Sequence, residues 1–144
     1  MGKIMAICMS EKKGTQKQPV KSCELICEHG LKEDAHAGNW HRQVSLLAFE
    51  KIEDFKARGA QVKDGDFGEN LVVAGIDLVN LPVGTLLRSG NILLQVTQIG
   101  KECHKHCQIY YKMGECIMPK QGIFARVLEG GILNEGDEIY VVEV

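Results

Sequence analysis

Short runs rich in β-branched and aliphatic residues, each cut off by Gly, Pro, Asn or Asp, recur from one end of this chain to the other. Runs of that length and punctuation read as strands, and their succession marks an all-β barrel or sandwich rather than alternating βαβ units. The spacing predicts strands at Lys3–Met9, Ser22–Cys27, Asn70–Val73, Thr85–Leu87, Ile92–Ile99, Gly122–Leu128 and Glu138–Glu143, in a mixed or antiparallel sheet. Two phrases, Leu81-Pro82-Val83-Gly84 and Leu133-Asn134-Glu135-Gly136, set a glycine turn directly before an apolar run, as the corners of a small barrel require.

One helix is expected to interrupt this pattern. Ser45 can cap a segment from Leu46 to about Arg58, with Leu47, Phe49, Ile52 and Phe55 on its apolar face and Gly59 at the stop position. A second, shorter helix is expected around Glu102–Lys112, with Cys103 and Cys107 one turn apart. Gly14–Pro19 reads as an exposed loop.

At 144 residues the chain can bury one full core but cannot hold a catalytic domain and a separate cofactor domain. No repeat or linker divides it, so residues 1–144 are expected to form a single domain. The formal charge of -2 and the lack of a basic stripe argue against nucleic-acid binding. The opening apolar run, Ile4 to Cys8, is too short for a signal peptide or a membrane span, so a cytoplasmic protein without membrane association is expected. In that setting the six cysteines are expected to be reduced, with Cys8, Cys23 and Cys27 behaving as small buried hydrophobes.

The chemistry concentrates in Lys101-Glu102-Cys103-His104-Lys105-His106-Cys107 and Cys116. Nearby ammonium and imidazolium groups lower a thiol's pKa and favour the reactive thiolate, so Cys103, Cys107 and Cys116 are the candidate nucleophiles. The same residues offer other arrangements. Cys103, Cys107, Cys116 and His106 make a Cys₃His zinc set, though without the usual second ligand pair; Cys107 can also form a reversible disulfide with Cys103 or Cys116, or the thiols can simply line a barrel mouth.

Upstream, Glu33 to Gln43 gathers polar groups before the expected helix. Arg42 is suited to grip a phosphate or carboxylate, and a helix starting near Ser45 would add backbone N–H groups for the same anion. Asp34 and His36 serve equally as hydrogen-bonding braces of a long loop. Gly65-Asp66-Phe67-Gly68-Glu69-Asn70 places two glycines before a strand and lacks the spacing and following helix of a dinucleotide fingerprint.

Taken in order, Asp34-Ala35-His36-Ala37-Gly38, Arg42-Gln43-Val44-Ser45-Leu46, Gly68-Glu69-Asn70-Leu71, Gly75-Ile76-Asp77-Leu78, Leu81-Pro82-Val83-Gly84, the Cys107 segment and Gly122 to Gly131 resemble the MOSC domain, the module named after the C-terminal domain of molybdenum cofactor sulfurase. The resemblance implies a mainly β fold, a closed barrel of complex topology with one or two flanking helices, and a pocket that handles the molybdenum cofactor (molybdopterin) or its sulfur. This chain is similar to the small free-standing members. Cys107 matches the family's cysteine, thought to carry sulfur or ligate molybdenum, which suits a soft thiolate. The chain has His106-Cys107-Gln108 where the common pattern has a Pro before the cysteine.

The resemblance further implies that Arg42, His36, Asn70, Lys101 and His104 hold the pterin's phosphate and polar edge. It implies proteins of cofactor biosynthesis or molybdoenzymes as partners, with a cysteine desulfurase as sulfur donor. Pyridoxal phosphate belongs to the desulfurase domain of the larger relatives and is not expected here. Alternative activities are a molybdenum-dependent reductase of N-hydroxylated compounds and a non-enzymatic zinc-binding or regulatory module.

Overall fold

The computed structural model describes residues 2–10, 17–35, 37–59, 61–65, 67–100 and 122–142. Within them the chain runs β1 (Gly2–Met9), β2 (Gln18–Val20), β3 (Ser22–Ile26), β4 (Gly30–Leu31), β5 (Val44–Ala48), α1 (Phe49–Ala57), β6 (Leu71–Ala74), a single 3₁₀ turn (Leu78–Asn80), β7 (Leu86–Ser89), β8 (Ile92–Ile99), β9 (Ile123–Glu129), β10 (Gly131–Asn134) and β11 (Glu138–Val141).

Seven strands close into a barrel in the order β11-β7-β8-β9-β5-β6-β1, and β11 pairs back onto β1 through Gly2 with Ile139 and Lys3 with Glu138. Closure removes the open edges that a flat sheet would present. The pairings are antiparallel except β5 with β6, which α1 connects as a crossover. β2 hangs on the free side of β1, and β10, β3 and β4 form a small separate sheet.

Alternation along the strands divides the apolar residues between two cores. Ile4, Val44, Leu46, Val73, Leu94, Val96, Ala125 and Val127 belong to the main core, whereas Ala6, Cys8, Leu47, Val72 and Phe124 pack with Ile52 and Phe55 of α1. β5 is therefore covered on both faces, with all five residues buried.

That double burial corrects the expected helix boundary. Val44 to Ala48 is strand, Ser45 pairs with Phe124 on β9, and the helix begins only at Phe49 with no side-chain cap. A continuous apolar run buried on both sides has neither period, so sequence alone does not separate it from a buried helical turn. The stop is where expected: Gly59 follows the helix with φ +104°. Pro19, placed in the expected loop, lies in β2 opposite Cys8, an edge position where its missing N–H is harmless. Cys8 is buried as expected and Cys23 is partly buried, but Cys27 is exposed. The expected helix at Glu102–Lys112 lies outside the described residues.

Candidate functional site

Two polar constellations flank β5 and the loop that leads into it. The first is built on Trp40, His41 and Arg42. The Arg42 guanidinium stacks between two rings, 4.7 Å from the Trp40 centroid and 5.5 Å from that of Phe124, within cation–π range of both. Its Nε is buried and has no hydrogen-bond partner among the described residues. A buried, unsatisfied donor of this kind calls for an acceptor, and the planar fork suits an oxyanion.

Beside Trp40 opens a cleft of about 520 Å³, bounded by the outer faces of β8 and β9, the turn after β3, and the turn at Val83 and Gly84. Thr97 Oγ1 donates to the His41 carbonyl, and His41 Nε2 lies 2.8 Å from Gln98 Oε1, which ties the loop to β8. Arg126, opposite Gln95 in the β8–β9 register, donates from Nε to Gln95 Oε1 at 3.0 Å. Its Nη1 stands 4.0 Å from Glu28 Oε1.

The second constellation is internal. Asn70 accepts at Oδ1 from the Ser45 N–H (3.0 Å) and Oγ (3.2 Å), and its Nδ2 donates to the Cys8 carbonyl at 3.0 Å. Its side chain thus ties β5 and β6 to β1. Glu69, fully buried, accepts from Gly65 N (2.9 Å) and Phe67 N (3.1 Å) and so folds the loop before β6 around its carboxyl group. Burial pushes its pKa up to about 7, against the opposing pull of those backbone donors, and the charge of Asp64 adds to the rise.

Gly65 packs directly on the Lys17 carbonyl, where an added Cβ would come within 2.1 Å of the oxygen, and its φ of +94° also selects glycine. Lys17 is itself buried and forms an ion pair of 2.8 Å with Asp34, whose Oδ1 also accepts from Ser10 N at 3.1 Å. Next to it, burial and then the Asp34 charge push the Cys23 thiol up to about 12, so this cysteine is a neutral thiol at physiological pH.

Of the expected site residues, Arg42 and Asn70 fall in described segments. Arg42 is presented with an open buried donor, while Asn70 commits its amide within the barrel. The expected help from a helix N-terminus at Ser45 is corrected: the Ser45 N–H is held by Asn70, and no helix starts there. His36, Lys101, Cys103, His104, His106, Cys107 and Cys116 lie outside the described residues. Among the described residues no three His, Cys, Asp or Glu side chains gather as a metal site, and no helix is long and apolar enough to cross a membrane. Sequence does not single out Lys17 or Glu28, and Arg126 reads there only as a surface residue, beside Glu129, of a structural strand. Lys17 sits in a polar, loop-like stretch, and Glu28 and Arg126 become neighbours only through the sheet.

A closed, mainly β barrel with one crossover helix and polar groups gathered around its β5 loop defines the class, and the family model for the MOSC domain matches residues 33–140. The chain belongs to the MOSC domain family, which is associated with molybdenum-cofactor-binding proteins. It is 28% identical over 136 residues to the uncharacterized protein YflK of Bacillus subtilis strain 168, covering 85% of this chain and 60% of that protein. The chain therefore spans about 60% of the length of this curated relative.

Among solved structures it is similar in fold to the YuaD protein of Bacillus subtilis, with TM-score 0.79, 18% identity, and coverage of 96% of this chain and 94% of that one. It is also similar to YiiM from Geobacillus stearothermophilus, with TM-score 0.74, 21% identity, and coverage of 99% and 76%. YiiM from Escherichia coli gives TM-score 0.67 and 21% identity, with coverage of 99% and 70%. At these identities the likeness concerns the fold.

Proposed function

We propose that this protein handles the molybdenum cofactor, holding its phosphate-bearing pterin through Arg42 and using Cys107 to carry sulfur or ligate molybdenum. The observation that carries the reading is the Arg42 guanidinium, held against two rings and with a buried donor that finds no acceptor among the described residues. The donor set fits a phosphate: a planar, permanently charged fork forms charge-assisted hydrogen bonds to such a group. When bound, the cofactor would supply a soft metal centre for which a thiolate is a matched ligand.

Within this reading the residues divide the work. Arg42 binds the anion and Trp40 and Phe124 hold the guanidinium in place. His36, Lys101 and His104 add donors around the same ligand, and Asn70 keeps β1, β5 and β6 in register beneath it. As a sulfur carrier, Cys107 thiolate attacks the terminal sulfur of a desulfurase persulfide, gains that sulfur, and releases the donor's own thiolate. Cys103 or Cys116 thiolate can then attack Cys107 Sγ, breaking the persulfide S–S bond, forming a disulfide and releasing the outer sulfur as hydrosulfide to the acceptor. Proteins of cofactor biosynthesis or molybdoenzymes are the receiving partners.

The test uses protein isolated without oxygen from a host that makes the cofactor. Arg42→Ala is expected to lower the retained pterin about tenfold, the loss of a single charge-assisted interaction, with an unchanged far-UV spectrum. Arg42→Lys is expected to restore it only partly, because a point charge lacks the planar fork. Equal retention in Arg42→Ala would remove Arg42 from the site. Cys107→Ser is expected to abolish sulfur labelling from a cysteine desulfurase supplied with labelled cysteine, and undiminished labelling would assign the carrier role elsewhere.

A further inference from the structure

The cleft beside Trp40 has a recognition pattern of its own. Glu28 and Arg126 carry opposite charges, yet their nearest atoms stand 4.0 Å apart, beyond hydrogen-bond reach. Neither saturates the other. Among the described residues Arg126 donates from Nε to Gln95, and both side chains line the cleft, so the terminal nitrogens of Arg126 and the amide of Gln95 are its candidate donors. Across from this polar edge are two apolar surfaces: Trp40 remains 37% exposed and Val83 62% exposed.

We propose that this cleft binds a flat nitrogen heterocycle carrying a 2-amino-4-oxo-pyrimidine edge, the edge shared by guanine and the pterins. The ring carbonyl accepts from the terminal N–H groups of Arg126, and the adjacent ring N–H and exocyclic amine donate together into the Glu28 carboxylate. Trp40 supplies a stacking surface for the ring, and Val83 closes the apolar side. A cleft of about 520 Å³ holds a bicyclic ring with its substituent. An adenine-type edge is the wrong match, because it turns a ring nitrogen lone pair toward the carboxylate and offers no carbonyl to Arg126.

The inference stands on the cleft itself. Only the choice of the cofactor's own pterin over a free guanine-type base rests on the function proposed above.

Trp40 is the only tryptophan of the chain, so its indole N–H gives one resonance in ¹⁵N-labelled protein and reports the cleft directly. Guanosine and neopterin serve as probes and adenosine as the mismatched control. A saturable shift of the indole resonance is expected with at least one of the two matched probes, with adenosine binding about tenfold more weakly or worse. Glu28→Gln and Arg126→Gln, both at exposed side chains, are each expected to weaken the matched probe about tenfold.

Binding of neopterin but not guanosine would identify the ring as the cofactor's, and the reverse would identify a separate ligand. No shift, equal affinity for adenosine, or full affinity in both variants would overturn the inference. Native protein that contains no pterin but binds guanosine would defeat the proposed function and leave this inference standing. Pterin-loaded protein whose indole resonance ignores all three probes and whose pterin content is unaffected by Glu28→Gln would do the opposite.

Discussion

Glu69 is a fully buried carboxyl group, and burial raises its pKa from 4.5 to about 7 even though backbone donors favour the charged form. Above pH 4.5 the unfolded chain releases this proton while the folded one keeps it, so stability falls as pH rises toward about 7 and then levels off. The full span amounts to about 3 kcal/mol. Glu69→Gln is expected to flatten this part of the stability profile, measured by urea unfolding at a series of pH values; a profile that keeps its slope would place the titration elsewhere.

Lys17 and Asp34 make the complementary case, a buried pair whose members need each other. Lys17→Met or Asp34→Ala alone is expected to cost about 3–5 kcal/mol by breaking a buried ion pair. The double variant is expected to cost clearly less than the sum, which a double-mutant cycle measures. Arg42 was legible in the sequence because its type and loop position suffice to suggest anion binding. Lys17 was not, since its ion pair with Asp34 and the approach of Gly65 to its backbone arise only in the fold.

At the scale of elements, the β5–α1–β6 unit carries the site. α1 has nine residues, too few to be stable alone, and it is held by Ile52 and Phe55 packing on Leu47, Val72 and Phe124. Phe55 also meets Phe67 edge to face at 5.8 Å. Phe55→Ala is expected to cost about 3–5 kcal/mol by thermal or urea unfolding. Val83→Ala, at an exposed turn, is expected to stay within about 0.5 kcal/mol of the parent.

This unit also shows what the sequence could and could not convey. β8 was read with its observed ends, because Ile92 to Ile99 alternates between core and surface and is bounded by Asn91 and Gly100. Ser45 reads as a helix cap because Ser before an apolar run is the usual start signal, whereas in the fold its hydroxyl and N–H serve Asn70 across the sheet. The cleft was invisible for a related reason: Glu28 and Arg126 are brought together only by tertiary pairing.

Across the whole molecule, closure of β11 onto β1 joins strands from the two ends of the described chain, so the barrel cannot open locally without exposing its core. Ile139, 1% exposed at that seam, is a direct probe. Ile139→Ala is expected to cost about 2–5 kcal/mol while unfolding remains one transition, with the same midpoint by far-UV circular dichroism and by Trp40 fluorescence. Separate midpoints would mean that the loop carrying Trp40 unfolds independently of the rest of the barrel.

The most direct test of the functional account is the molybdenum and pterin content of native protein, purified without oxygen from a cofactor-producing host. Pterin and molybdenum are expected together in comparable amounts, both reduced in Arg42→Ala. Protein from such a host that carries neither, while remaining folded with Trp40 in its native environment, would contradict it.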